Sequence, residues 1–232
     1  MFEPFQTFIE AIHQAIIIIL SGDPEVCSIT IRSIYVSGLA TLLSCLWGLP
    51  IALGLALSSF HGKKFVRSFF QAMLGVPTVA LGLLLYLLFS KSGPLGIFEL
   101  LYTPLGISIG QSILITPIIV SFASSAIEST DVDVRDLAKT LGASRFQTDL
   151  AIMNESIWGI ILAIIASFSR AFAELGVAIM VGGNIRYVTR VLTTSIALET
   201  ATGEISFSIA LTIILMVIIF SLTFLINFLR RT

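Results

Sequence analysis

Long stretches of the chain without Asp, Glu, Lys or Arg alternate with short charged segments. Four of these stretches exceed the roughly 18–20 residues that a helix needs to cross about 30 Å of hydrocarbon, and a fifth contains two charged residues. Because backbone groups in lipid must pair within the protein, we expect helices. The pattern predicts an all-α integral membrane protein with five transmembrane helices, at about 33–60, 68–90, 103–127, 157–182 and 205–229.

The N-terminal segment has a different pattern. After Pro4, apolar residues recur at helical spacing, and most polar residues lie at the other positions. The run is too short to cross a bilayer and ends at Ser21-Gly22-Asp23-Pro24. We therefore predict that residues 1–25 form an amphipathic helix on the membrane surface, ahead of a transmembrane domain at residues 26–232.

Composition supports a membrane protein and excludes several other classes. Apolar residues make up 56% of the chain and charged residues 12%, against roughly 45–50% and 25% in soluble domains. A net charge of −1 gives no basic surface for nucleic acid. Two cysteines are too few for a disulfide scaffold, and they form no metal-ligand spacing with the two histidines.

Basic residues are distributed unequally between the two sides of the predicted membrane domain. One side has eight of them: Lys63, Lys64, Arg67, Arg135, Lys139, Arg145, Arg230 and Arg231. The other side has four: Arg32, Lys91, Arg186 and Arg190. Since cytoplasmic loops carry the excess of Lys and Arg, we expect an outside N-terminus and a cytoplasmic C-terminus in the cell membrane.

One cytoplasmic connection, residues 128–155 (hereafter the elbow), is long enough to have a function of its own. Its sequence predicts two short helices that meet at Gly142, with Thr130 or Asp131 capping the first and Ser144 the second. The alternative is a loop that only joins two spans. Connections between helices are usually much shorter than its 28 residues, which favours an ordered helical elbow.

Two charged residues, Arg170 and Glu174, fall inside the fourth predicted span, and Arg170 lies about 21 Å from Ser156 along the helix axis. An Arg at that depth costs at least about 2.5–3.5 kcal/mol, so both side chains should face protein or water. They are either a structural ion pair between packed helices or part of a translocation pathway, where Arg170 attracts a dianion transiently.

The outer end of that span carries a second group of candidates. Gly182-Gly183-Asn184 is either a plain helix end or an outer gate with exposed backbone N–H groups. Arg186 and Arg190 follow on the outer side. They either contact an extracytoplasmic protein or are simply solvated.

The elbow resembles the cytoplasmic EAA loop of ABC importer permeases. Asp136-Leu137-Ala138 corresponds to Glu-Ala-Ala, Gly142 to the glycine and Ile152 to the isoleucine of that motif. Asp136 and Leu137 depart from the motif, and Asn154-Glu155 stands in place of Leu-Pro. The resemblance implies a docking knob for an ATPase, to which we assign these residues: Asp136, Ala138, Lys139, Gly142, Ala143 and Ser144.

The C-terminal third resembles oxyanion permeases of the type I importer class. The segment from Arg170-Ala171 through Glu174-Leu175-Gly176 is similar to an element that molybdate and sulfate permeases share. Gly182-Gly183-Asn184-Ile185 and the segments 189–194 and 198–200 are most similar to the tungstate branch. The resemblance implies ATP-driven import of tungstate, with molybdate or sulfate as the alternatives.

The same resemblance implies the partners: a second copy of the chain, two cytoplasmic ATP-binding subunits, an extracytoplasmic oxyanion-binding protein and the lipid bilayer. The chain contains no Walker A pattern, so we expect a transport subunit rather than an enzyme, with no cofactor or metal. An ATP-independent secondary transporter is the alternative from another class. The unequal spans show no inverted repeat in its favour.

Overall fold

The computed structural model describes residues 3–229, except for the side chains of residues 3–8, 131–133, 139, 225–227 and 229. Every regular element in the described range is a helix. The helices are α1 (Glu3–Leu20), α2 (Pro24–Leu57), α3 (Lys63–Met73), α4 (Thr78–Phe89), α5 (Pro104–Thr140), α6 (Arg145–Glu155), α7 (Ile157–Phe172), α8 (Gly176–Gly182), α9 (Leu192–Thr202) and α10 (Ile205–Leu229), with a short 3₁₀ turn at Gly96–Phe98.

Three helices are long and apolar enough to cross a membrane: α2, α5 and α10. Two bent pairs, α3 with α4 and α6 with α7, also reach that length and hydropathy. The count over the described residues is therefore three spans, or up to five if each bent pair is one span.

The first span starts earlier than hydropathy predicts, at Pro24 rather than near residue 33. Asp23 caps α2, because its carboxylate accepts hydrogen bonds from the backbone N–H groups of Glu25 (2.7 Å) and Val26 (3.2 Å). Pro24 suits the first helical turn, where no N–H is needed. The helix therefore includes Glu25 and Arg32, which lie before the predicted start of the span.

The prediction of one continuous span at 68–90 is wrong. The chain forms α3 and α4, whose axes differ by 99°, and residues 74–77 separate them. Pro77 lacks a backbone N–H and disfavours helical geometry at the preceding residue, and Gly75 adds a weak helix former. The break therefore has a local cause that mean hydropathy does not detect.

The prediction of a continuous span at 157–182 is also wrong. Residues 173–175 interrupt it, and α8 continues for only seven residues beyond the break. A further helix, α9, lies in the segment before the last span. The backbone N–H of Leu192, at its start, donates to Ser33 Oγ of α2 over 2.8 Å, so a side chain distant in sequence caps this helix.

The elbow does not begin with a separate helix. Helix α5 runs without interruption from Pro104 to Thr140, so the prediction of a cap at Thr130 is wrong. The Thr130 hydroxyl instead donates back to the carbonyl of Ala126 over 3.0 Å. The side chain of Asp131, the other predicted cap, lies outside the described residues.

The core of the molecule is built around α2, α5 and α7, which pack against one another. Near the elbow a cluster of small and branched residues joins them: Ala52, Ala56, Ala123, Ile127, Ile152, Ile160 and Ala163. Gly48 of α2 lies close to Ile119 of α5, where an added Cβ would sit 3.2 Å from the Ile119 methyl. Small residues on α2 thus allow close approach of the two helices.

Helix α1 packs against α10 through part of its surface. Ala11 and Ala15 are buried, Ile18 packs against an apolar cluster that includes Leu211, and Ser206 Oγ donates to Gln14 Oε1 over 2.8 Å. Ile9, Ile16, Ile17 and Leu20 remain exposed. The position of α1 relative to the membrane surface stays a prediction.

Candidate functional sites at the elbow, the helix break and the opposite end

The turn between α5 and α6 is defined by Gly142 and Ser144. Gly142 has φ of +78°, a left-handed conformation that glycine adopts without a steric penalty. The N–H of Ala143 donates to the Ala138 carbonyl over 3.0 Å. Ser144 and Gln147 form a reciprocal cap, with Ser144 N–H donating to Gln147 Oε1 over 2.8 Å and Gln147 N–H to Ser144 Oγ over 3.4 Å. These bonds fix the angle at which α6 leaves the turn.

Large apolar side chains cover the surface of the elbow, which sequence reasoning did not single out. Leu141 is 78% exposed and Phe146 77% exposed, and Leu137 and Leu150 are exposed as well. Of the residues predicted to form the docking knob, Asp136, Gly142 and Ser144 are exposed and Ala138 and Ala143 half-buried. The Lys139 side chain lies outside the described residues. Four large exposed apolar side chains within residues 137–150 favour a protein–protein contact.

The base of the elbow is attached to the core and to α3. Ile152 of α6 is fully buried beside Ile127 of α5. Glu128 accepts a hydrogen bond from Arg67 and lies 3.2 Å from Lys63 Nζ, both of α3. These contacts connect the elbow to α3 and to the packed helices.

Arg170, in the last turn of α7, forms an ion pair with Glu174, in the break between α7 and α8. Arg170 Nη1 donates to Glu174 Oε2 over 2.5 Å, and the other carboxylate oxygen accepts from the backbone N–H of Val177 over 3.1 Å. The Glu174 side chain is 2% exposed, whereas 40% of the Arg170 side chain is exposed. The sequence predicted the pair, but not that Glu174 lies in an interrupted helix, where it satisfies a backbone N–H of α8.

Two further elements hold this break in place. Thr193 Oγ1, in the first turn of α9, donates to the Glu174 carbonyl over 2.7 Å. On the α4 side, a Cβ added at Gly176 would lie 2.5 Å from Thr78 Oγ1, so only glycine allows this approach. The two helix breaks thus meet, at Gly176 and Thr78.

Near the break, α5 contributes a buried amide. Gln111 is 2% exposed, and its Oε1 atom has no hydrogen-bond partner among the described residues. One turn to either side, Ile107 shares a cluster with Ala178 and Ile115 shares one with Ala171. Gln111 therefore lies at the level of the break, and its amide adds a further buried polar group to the one that Glu174 supplies.

The segment after α8 is a compact loop with unusual backbone angles. Gly183, Asn184 and Tyr187 all have positive φ values, of 68°, 51° and 64°. Thr189 Oγ1 donates to the Gly182 carbonyl over 2.5 Å and accepts from the Ile185 N–H over 2.9 Å. The sequence predicted a helix end at Gly182-Gly183-Asn184, and α8 does end there.

Arg32 of α2 ties this loop to the first span. Its Nη1 atom donates to the Arg190 carbonyl and its Nη2 atom to the Tyr187 carbonyl, both over 3.0 Å. Arg32 was missed because its partners are backbone carbonyls more than 150 positions away, which leave no signal in the sequence.

Arg186 and Arg190 are paired with carboxylates. Arg186 makes a bidentate contact with Glu25, with Nε–Oε1 and Nη2–Oε2 distances of 2.8 Å and 2.6 Å. That hydrogen bonding raises the pKa of Arg186 above its usual value. Arg190 Nη1 lies 3.6 Å from both Glu25 Oε1 and Glu199 Oε1. Both arginines line a pocket of about 410 Å³ with three acids, so carboxylates compensate their charges.

Helix α5 separates the elbow from this loop. Ile107, near its start, lies against Gly182, and Leu141 of the elbow follows its last residue. The candidates thus form three separate groups: the elbow, the helix break and the 183–191 loop. The elbow and the 183–191 loop thus lie at opposite ends of α5, and the helix break lies between them.

Residues 48–232 match a protein family described as the inner membrane component of binding-protein-dependent transport systems. This match covers most of the chain. The chain belongs to this family. The resemblance to ABC importer permeases inferred from the sequence is therefore confirmed, and the permease is an all-helical membrane component of an ABC importer.

Curated relatives extend over most of the permease. It is 42% identical over 188 residues to a probable anion ABC transporter permease protein of Haloferax volcanii, covering 79% of this chain and 81% of the relative. It is 33% identical to the tungstate uptake system permease protein TupB of Peptoclostridium acidaminophilum, covering 87% and 88%. Identity to the molybdenum transport system permease protein ModB of Escherichia coli is 30%, covering 78% and 83%.

A solved structure supports the fold. The permease matches a crystal structure of an amino acid ABC transporter with histidines at a TM-score of 0.68 and 20% identity, covering 92% of this chain and 96% of the other. At that identity the likeness concerns the arrangement of helices alone.

Proposed function

We propose that this permease moves a tetrahedral oxyanion dianion across the cell membrane, and that tungstate is its substrate. The observation that carries the proposal is the similarity to two tungstate uptake permeases, at 33% and 36% identity, each over 87% of this chain. Molybdate and sulfate are the alternatives, supported by lower identities of 30% and 27% to a molybdenum and a sulfate permease.

The elbow is proposed to be the contact with a separate ATPase subunit. Support comes from its exposed apolar side chains, led by Leu141 and Phe146, and from the fixed turn at Gly142 and Ser144. Burial of such side chains in a groove of a partner would supply affinity at roughly 25 cal/mol per Å². Asp136, Ala138, Lys139 and Ala143 complete the proposed contact.

Arg170 is proposed to face the translocation pathway, and Glu174 to hold it there. The unequal exposure of the two side chains supports this division, since a purely structural pair would be expected to bury both. The carboxylate keeps the local charge near neutral, so a dianion is attracted by Arg170 without binding too tightly to leave.

The proposed arrangement in the membrane has five spans, formed by α2, α4, α5, α7 with α8, and α10, with the N-terminus outside and the elbow in the cytoplasm. Basic residues at the elbow end support this orientation. Arg230 and Arg231, which contribute to that excess, lie outside the described residues. Two copies of the chain, two ATPase subunits and an extracytoplasmic oxyanion-binding protein form the proposed complex.

At the outer end, Gly182, Gly183 and Asn184 are proposed as part of the gate, and Arg186 and Arg190 as part of the contact with the binding protein. Gly183 and Arg186 are exposed, which supports a surface that is accessible to a partner.

Uptake by proteoliposomes tests the function. Vesicles containing the permease, its ATPase and its binding protein should accumulate tungstate only when ATP is supplied on the elbow side. Excess molybdate or sulfate should reduce this uptake less than excess unlabelled tungstate does. Uptake by the permease alone would instead establish a secondary transporter. Preferential accumulation of molybdate or sulfate would replace tungstate in the proposal.

A further inference from the structure

Helix α3 has two chemically distinct faces. Successive residues of a helix are 100° apart, which places Lys63, Lys64 and Arg67 on one side and Phe65 and Phe69 on the other. A basic face combined with an aromatic face is typical of a helix that lies in the membrane interface.

The position of α3 supports the same interpretation. Its axis is turned by 99° from α4, so it runs across the end of that helix rather than continuing through the membrane. None of its eleven residues is buried, and Phe65 is 76% exposed. An exposed aromatic side chain beside basic residues suits an environment that is apolar on one side and polar on the other.

The basic face has more positive charge than its protein partner neutralises. Lys63 and Arg67 share one carboxylate, Glu128. Lys64 is exposed and has no ion-pair partner in the part of the chain that the structure describes. These three cations and His61 line a pocket of about 500 Å³ at the start of α3, within the usual range for ligand sites.

We propose that this pocket binds the headgroup phosphate of an anionic phospholipid, whose acyl chains lie along Phe65 and Phe69. The proposal uses the membrane orientation given under the proposed function, which puts α3 at the cytoplasmic leaflet. Such a lipid combines an anionic group with an adjoining apolar chain, which matches the two faces of α3. A soluble acidic peptide would leave the aromatic face exposed, and an apolar membrane helix would leave Lys64 without a counter-charge.

The ion pairs of Glu128 indicate what the lipid would affect. Glu128 lies at the start of the elbow and binds two of the three cations that line the pocket. An anionic headgroup would compete with this carboxylate for Lys63 and Arg67, so lipid occupancy would alter the contact between α3 and the elbow.

Native mass spectrometry of the purified full-length permease, titrated with phosphatidylglycerol or phosphatidylcholine, tests the proposal. We expect Lys64→Gln to weaken phosphatidylglycerol binding about fivefold, the effect of one cation near an anionic surface, and to leave phosphatidylcholine binding unchanged. Lys64→Arg should bind both lipids like the wild type. The matched control is Lys91→Gln, at an exposed lysine beyond the opposite end of α4, which should change neither affinity.

A second variant tests the apolar half of the site. Phe65→Ser removes an exposed ring and should weaken binding of both lipids. Unchanged phosphatidylglycerol binding in Lys64→Gln would overturn the proposal. So would full competition by millimolar inorganic phosphate, or loss of ATPase association with lipid binding intact, which would indicate a free-phosphate site or a protein contact. The assay does not involve transport, so its failure leaves the proposed function standing.

Discussion

At the scale of single residues, the pair at the break between α7 and α8 combines burial with access. Glu174 is enclosed and satisfies a backbone N–H, while Arg170 retains an exposed guanidinium. A structural pair and a pathway cation make different demands on these two residues, and substitutions can separate them.

Replacing Arg170 alone with Met should destabilise the permease by about 3–5 kcal/mol, because the buried Glu174 carboxylate loses its counter-charge. The double variant Arg170→Met, Glu174→Gln keeps an acceptor for the Val177 N–H and removes both charges, so folding should recover. If Arg170 attracts the dianion, tungstate uptake per folded permease should fall about tenfold in this double variant, equivalent to about 1.4 kcal/mol. Wild-type uptake would show that the pair is structural.

Gly142 offers a second test at this scale. An added Cβ there meets nothing within 4 Å, so the cost of a substitution comes from its φ of +78°. We expect Gly142→Ala to strain the turn by about 1–2 kcal/mol and to lower transport-coupled ATP hydrolysis. Gly142→Asn, which tolerates this conformation, should retain most of it. Equal losses in both variants would point to bulk at the ATPase contact instead.

Among the elements, the elbow combines a buried apolar side chain with highly exposed ones. Ile152 is buried in the core, whereas Leu141 and Phe146 are exposed. Residues of the second kind contribute little to the stability of the isolated chain and are free to contact another protein.

The double variant Leu141→Ser, Phe146→Ser should insert and fold normally, because exposed substitutions usually change stability by less than about 0.5 kcal/mol. We expect at least tenfold weaker association with the ATPase in a detergent pull-down. Ile97→Ser provides the matched control, since Ile97 is 83% exposed and precedes α5 at its other end. Retained association in the double variant would exclude this surface as the docking contact.

Sequence patterns predicted those features of the elements that have local causes. The cap at Ser144 and the turn at Gly142 depend on residues within a few positions of one another. The break at 173–175 depends on Thr193 and on contact between Gly176 and Thr78, and the partners of Arg186 and Arg190 include Glu25. Hydropathy measures compatibility with lipid, so it could not locate a break that tertiary hydrogen bonds stabilise.

For the whole molecule, cysteine labelling tests the orientation in the membrane. Cysteines at the exposed positions Ser59 and Ser92 lie on either side of the α3–α4 pair. In a variant whose native Cys27 and Cys45 are Ala, we expect an impermeant maleimide to label Ser59→Cys only from the cytoplasmic side and Ser92→Cys only from outside. The reverse pattern would overturn the orientation and relocate the elbow to the outer surface.

One feature of α5 has mechanical consequences for the assembled transporter. Its 37 residues make a rod of about 55 Å, nearly twice the hydrocarbon thickness. Just before its start, the Tyr102 N–H donates to the Val181 carbonyl over 2.9 Å. If α5 stayed straight, a tilt of about 10° imposed at the elbow would displace its far end by roughly 10 Å because of this length. Pro117 has no N–H to donate to the Ile113 carbonyl, so α5 should bend most easily at this single turn.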